Sequence, residues 1–301
     1  MIPYDVIIDS SVRTDYSGYS QLARIYSDVI AQNNKDVRIV FNQCPEFDSN
    51  LAAVLGSILM HLKAQGYNVQ LTTPISVRVR RSLSRCKFLK AFDIPSHSMD
   101  KENYLEYMVF TSAESNLFKQ YIDEQLMQKQ KFPAHSKKAG ELIQELIFEI
   151  FVNAIEHGKC EFIFCCGEYF PVVSPPMLYM TIVDRGDTIK GTVNNYMERR
   201  GTPQNYTSVE AIHWAMQEGH TTKDWPGGLG LARLRKFVKA NQGAIQIVSD
   251  NGMVEYTTDT YTDQILDYPF EGTIVTMKFN FNDDQNYYIA SEECYDTTNL
   301  L

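Results

Sequence analysis

The stretch ELIFEIFVNAIEHG, inside a helix expected over Glu141 to Gly158, constrains the fold more than any other part of the chain. Leu142, Leu146, Ile150 and Ala154 recur near helical spacing, which predicts one face against the core. Glu145, Glu149, Asn153 and His157 sit four apart and form a polar stripe beside that face. Such a stripe is ordinary in itself. Its interest lies in the spacing E-x-x-x-N-A-x-x-H and in the glycine-containing segments that follow at Asp184, Gly228 and Gly272.

A length of 301 residues suggests two domains, each able to bury its own core. Hydrophobic residues make up 44% and charged residues 22%, the balance of a folded globular chain. A formal net charge of -9 argues against general affinity for nucleic acid or anionic lipid. The opening Met1-Ile2-Pro3-Tyr4-Asp5 has no basic region before an apolar run, and no segment approaches the roughly 18 consecutive apolar residues of a membrane span, so a cytoplasmic location is expected. The six cysteines form neither a C-x-x-C pair nor a zinc-spaced cluster and read as reduced, mainly buried thiols.

Strands are expected at 5–9, 36–41 and 68–72, alternating with helices at 19–32, after Asp48-Ser49-Asn50, and from Ser76 to about Lys87. This alternation implies an α/β layer. Asp48, Ser49 or Asn50 can cap the helix LAAVLGSILMHLKAQG, and Gly66 suits its left-handed end. The run from Val37 to Leu83 resembles a STAS domain, the fold of anti-sigma-factor antagonists, whose D-S-[ST]-G-like turn accepts phosphate from a partner kinase. Here that turn is Asp48-Ser49-Asn50-Leu51, with one hydroxyl and no glycine, so Ser49 is either a phosphoacceptor or a plain cap. Arg78, Arg80, Arg81, Arg85, Lys87 and Lys90 make the next helix basic, read first as a solvated face paired with acidic neighbours.

Residues 95–103 are polar and aperiodic, the expected linker. A strand at 106–110, a helix at 114–128, the central helix, and a hairpin of 161–166 with 177–183 follow. Residues 187–227 read as a long polar lid with one helix near 208–217. Strands at 243–249, 252–257 and 272–281 close the domain, and the remainder reads as an acidic, mobile tail.

Several residues in this order suit Mg-ATP. Asn153 offers a neutral amide oxygen to magnesium and Glu149, one turn earlier, a carboxylate for a proton. Asp184 emerges from the apolar run Met180 to Val183 and can accept from an exocyclic amine. Gly227-Gly228-Leu229-Gly230 opens a helix whose free N–H groups attract anions. Lys223 and Thr221 or Thr222 could reach a phosphate, and no P-loop motif exists. The whole series resembles the GHKL, or Bergerat-fold, ATPases over about residues 105 to 281. The resemblance implies Glu149 as catalytic base and Asn153 as magnesium ligand. It further implies nucleotide contacts from His157, Asp184, Gly186, Gly228, Leu229, Gly230 and Thr273. Family members continue D-x-G-x-G after the aspartate, whereas Thr188 stands at the second glycine here.

The expected fold is thus α/β: a STAS-like α/β domain over 1–95, a Bergerat-fold α/β sandwich over 104–282, and a tail over 283–301. The implied cofactors are ATP and Mg2+. Three outcomes of binding stay open: a slow ATPase switch acting on a protein partner through the STAS-like part, an anti-sigma-type serine/threonine kinase, or a sensor without turnover. A second copy of the chain is also an open partner, whereas membrane and nucleic acid are not expected.

Overall fold

A helix that is apolar all round must find neighbours on every side. The computed structural model, which describes residues 2–72, 75–96, 100–222, 228, 230–289 and 298–299, meets this demand by sandwiching one. The first layer is a parallel sheet of β1 (Tyr4–Ile7), β2 (Asp36–Val40) and β3 (Asn68–Leu71), joined through α1 (Tyr16–Ile30) and α2 (Ala52–Ala64). Every residue of α2 from Ala52 to Leu59 is buried, because the helix packs on this sheet and on a second one. Gly66, with φ of +82°, ends the turn after α2 as expected.

Two short helices, α3 (Val77–Arg85) and α4 (Phe88–Ala91), lead to β4 (Tyr104–Thr111), and α5 (Ser115–Tyr121) continues as a wider turn over Ile122–Met127. After β5 (Ala134–His135) come α6 (Lys137–Glu156), β6 (Phe162–Phe170), β7 (Met177–Asp184), α7 (Ile189–Arg199), α8 (Ser208–Ala215) and α9 (Gly230–Ala240). The chain continues through β8 (Ala244–Tyr256), β9 (Tyr261–Asn280), β10 (Asn286–Tyr288) and β11 (Thr298–Asn299). The second sheet runs β4-β6-β7-β9-β8, every neighbouring pair antiparallel. One face packs on α1 and α2; the other carries α5, α6 and α9. The protein is therefore mixed α/β, and no helix among the described residues is long and apolar enough to cross a membrane.

A buried polar seam ties the first layer to the second sheet. Tyr19 Oη donates to Gln246 Oε1 (3.0 Å) and meets Thr276 Oγ1 (2.8 Å), while Asn50 Nδ2 donates to Thr181 Oγ1 (2.9 Å). Fully satisfied buried networks of this kind select one docking register, since any slip would orphan several groups at once.

Several expectations are corrected here. Asp48 does not cap the helix: its carboxylate turns back to accept from Thr14 N (2.7 Å) and Thr14 Oγ1 (2.9 Å). Ser49 has no exposed surface, its backbone N–H donates to Glu168 Oε2 at 2.5 Å, and the β6 strand lies over it. The folded chain therefore offers no hydroxyl there to a kinase. The tail is not wholly mobile, because β10 pairs with β5 and places Tyr287 fully buried beside Phe237. Residues 261–271, left unassigned between two expected strands, continue β9 as a hairpin arm with β8; its outward polar residues hid the alternation. The basic helix behaves as a solvated face, with ion pairs from Arg78 to Glu46, Arg85 to Asp100 and Lys87 to Glu106. Of the expected linker, residues 97–99 lie outside the described part.

Helix α2 meets β4 so closely at Gly56 that an added Cβ would lie 2.2 Å from Tyr107 Oη. That hydroxyl is buried and without a hydrogen-bond partner among the described residues. Tyr107→Phe is expected to stabilise the protein by about 1 kcal/mol, the cost of an unsatisfied buried hydroxyl. Gly56→Ala should destabilise by about 2–3 kcal/mol through overpacking, and the double variant should recover part of that loss. Denaturant unfolding of the four proteins checks this; strict additivity would show that the two sites do not press on each other.

Candidate functional site

Helix α6 starts with Ser136 Oγ accepting from Ala139 N (3.1 Å) and turns Ile143, Ile147, Ile150 and Ala154 into the core. The same rotation brings Glu149, Asn153 and His157 to one flank, where they border a cavity of about 480 Å3. Glu145 of the same stripe is exposed and does not border it. Neither Glu149 nor Asn153 has a side-chain hydrogen bond among the described residues, so both side chains stand available to a ligand.

Asp184 enters from the end of β7. Three close backbone approaches hold it there. A Cβ on Gly186 would sit 1.9 Å from Gly158 O, one on Gly272 2.1 Å from Asp184 O, and one on Gly158 3.1 Å from Asp184 Oδ1. Only glycine lets the end of α6, the turn after β7 and the middle of β9 converge so tightly, and Gly272 also needs its φ of +118°. Asp184 is 6% exposed and accepts from Gly186 N (2.9 Å). Burial pushes its carboxyl up to about 7, against the opposing pull of the Gly186 and Thr273 N–H groups and the Arg185 charge. Thr273, its register partner on β9, borders the same cavity.

The start of α9 closes the third side. Gly230 lies so near α6 that a Cβ would come within 2.7 Å of Glu149 Cγ. Gly228, at φ +80°, packs on the carbonyl of His220 and accepts from Gly219 N (3.0 Å). Thr222 Oγ1 lies 2.8 Å from His157 Nδ1, tying this loop to the end of α6. Nine of the site candidates named from the sequence, Glu149, Asn153, His157, Asp184, Thr221, Thr222, Gly228, Gly230 and Thr273, thus share one cavity. Gly186 does not border it; its place is the contact with Gly158. Leu229 and Lys223 lie outside the described residues.

Of the wall facing α6, α8 matches the helix expected near 208–217, whereas α7 was not foreseen. Within the segment read as a lid, whose residues 223–227 lie outside the described part, Thr188 Oγ1 accepts from Gly191 N (3.1 Å) and starts a second helix, α7, which turns Ile189, Thr192 and Val193 to the cavity. The signal was the apolar pair Ile189 and Val193 four apart behind a threonine cap, diluted by glycine and two asparagines. Trp214 and Ala215 of α8 complete this side. Ile182, Ile247 and Val275 form an apolar floor, so the cavity combines a flat hydrophobic end with a polar rim, the usual build of a small-molecule site. Among the described residues no three His, Cys, Asp or Glu side chains converge as a metal cage. Comparison of the chain with models of known families, with curated proteins and with solved structures found no match.

The Asp184 carboxyl titrates near 3.9 in an unfolded chain and about 7 in the fold. Between those values the folded protein keeps a proton that the unfolded chain has released, so this group makes stability fall as pH rises, and the loss is complete above 7. Asp184→Asn removes that slope. Relative to wild type the variant should gain about 2–4 kcal/mol between pH 4 and 8, read from urea unfolding at each pH. A difference independent of pH would mean that Asp184 is ionised throughout.

Proposed function

We propose that this chain is a Mg-ATP-binding protein of the GHKL type, a Bergerat-fold sandwich behind a STAS-like layer, whose slow ATP hydrolysis runs a switch acting on a protein partner. The observation that carries the reading is convergence: motif residues from four distant segments, around Asn153, Asp184, Gly228 and Thr273, border one cavity. Either half of such a motif would mean little alone.

The donor set suits a cation that arrives with its ligand. With no carboxylate cage among the described residues, the protein's share of coordination would be the amide oxygen of Asn153, leaving other positions to phosphate and water. Magnesium so held would neutralise phosphate charge. Asp184 would accept an N–H from a planar base lying on Ile182, Ile247 and Val275, and such a donor favours the ionised carboxylate over the protonated one. Backbone N–H groups near Gly228 and Gly230 would face phosphate oxygens. Glu149, packed by Gly230, would take a proton from the attacking water. His157, bonded to Thr222, would set the position of the loop beside it. The burial of Ser49 argues against phosphoryl transfer to that residue, and Glu149 at the cavity offers the base that hydrolysis needs.

Incubation with γ-labelled ATP separates the readings: released phosphate supports a switch, label on a protein substrate supports a kinase, and neither supports a sensor. Asn153→Ala is expected to lose the thermal stabilisation by Mg-ATP, worth about 2.7 kcal/mol at a hundredfold excess over Kd. Glu149→Gln should keep that stabilisation and lose turnover by about 10²–10⁴-fold. Full Mg-ATP stabilisation of the asparagine variant would refute the site.

A further inference from the structure

Both helices of the cavity wall, α7 and α8, are joined to the sheet at one shared irregularity. Strand β8 shifts register between Ser249 and Gly252, with Asp250 in the left-handed region at φ +54°, a conformation that aspartate tolerates better than most residues. The bulge redirects three side chains. Ser249 Oγ accepts from Ile189 N at the start of α7 (2.9 Å) and donates to Gly272 O (2.8 Å). Asp250 Oδ2 accepts from Lys190 Nζ of α7 (3.0 Å) and from Ser208 Oγ of α8 (2.7 Å). Ser208 Oγ also lies 2.6 Å from Asn251 Oδ1, so its one proton faces two acceptors on the bulge. Gly252 completes the contact, because a Cβ there would lie 2.8 Å from Ser208 Cβ and hold α8 off the strand.

The two helices also hold each other. Asn194 of α7 exchanges hydrogen bonds with the backbone of Tyr206 just before α8 (2.9 and 3.0 Å), and the rings of Tyr196 and Trp214 lie 5.9 Å apart. His213 extends the attachment of α8 along the same hairpin arm, with Nδ1 2.6 Å from Tyr256 Oη and Nε2 2.8 Å from Asp263.

We infer that Asp250 is a positioning residue which locks α7 and α8 into one cover hinged on the β8 bulge. A carboxylate outside the cavity thereby sets access to it. One oxygen serves both helices, so its loss loosens them together. The inference depends on the nucleotide reading only for what the cover encloses.

The test is amide hydrogen exchange on the full chain without ligand. Asp250→Gly keeps the backbone conformation and deletes the carboxylate; Asp250→Asn keeps an acceptor for Ser208 and loses the charge facing Lys190. In the glycine variant, exchange over 189–199 and 208–215 should quicken together by about tenfold, with 137–156 unchanged, and the asparagine variant should fall between it and wild type. Unchanged protection in both helices, quickening in only one, or equal quickening across 137–156 in both variants overturns the inference. Mg-ATP added to wild type should slow exchange in both helices in parallel; no response would sink the nucleotide reading and leave the comparison of variants to decide the cover.

Discussion

A sheet with two apolar faces cannot tolerate water on either, and the five-stranded sheet here alternates between its faces, interrupted only at the irregularities of β4 and β8. Ile163, Cys165, Ile182, Ile247 and Val275 pack with α6 and α9, whereas Phe164, Cys166, Val183, Val248 and Ile274 pack with α1 and α2. Sheets of this kind need helices on both sides. The first ninety residues supply the second cover, and their own small parallel sheet then forms the outermost layer. These first ninety residues are consequently built into the fold, and their helical face is occupied by the chain itself.

The same alternation divides labour at the end of β7. Asp184 turns to the cavity; Arg185, the next residue, turns to the opposite layer, between the rings of Tyr26 (4.5 Å) and Phe270 (4.9 Å) and against Glu271 (3.3 Å). Because Gly158, Gly186 and Gly272 leave no slack around this corner, the two side chains are placed by one rigid turn. The corner where the motif residues gather is therefore also the corner where the two layers meet.

Much of this was legible in the residues. The run Leu51 to Leu62, broken in polarity only by Ser57 and His61, suits a helix covered on several sides, and the three stripe residues Glu149, Asn153 and His157 announce a second surface on α6 beside its core face. The close backbone approaches at Gly158, Gly186 and Gly272 explain why glycines recur near those positions. What stayed hidden depended on distant contacts. Asp48 reads as a cap until Thr14 competes for its carboxylate. The polar stretch 261–265 becomes strand because its ladder with β8 carries it, not because its own side chains are buried. Helix α7 draws its stability from Ser249 and Asp250, some sixty residues ahead in sequence, which no local pattern can reveal.

The hydroxyl of Tyr19 finds its partner at Thr276, a sequence separation of 257 residues. Synthesis at roughly 5–20 residues per second means that α1 and α2 emerge from the ribosome on the order of ten to fifty seconds before β9 exists to cover them. During that interval a helix greasy on every side has only its small parallel sheet for shelter. Nascent chains stalled before residue 261 should therefore be clients of hydrophobe-binding chaperones, and those released after 280 should not.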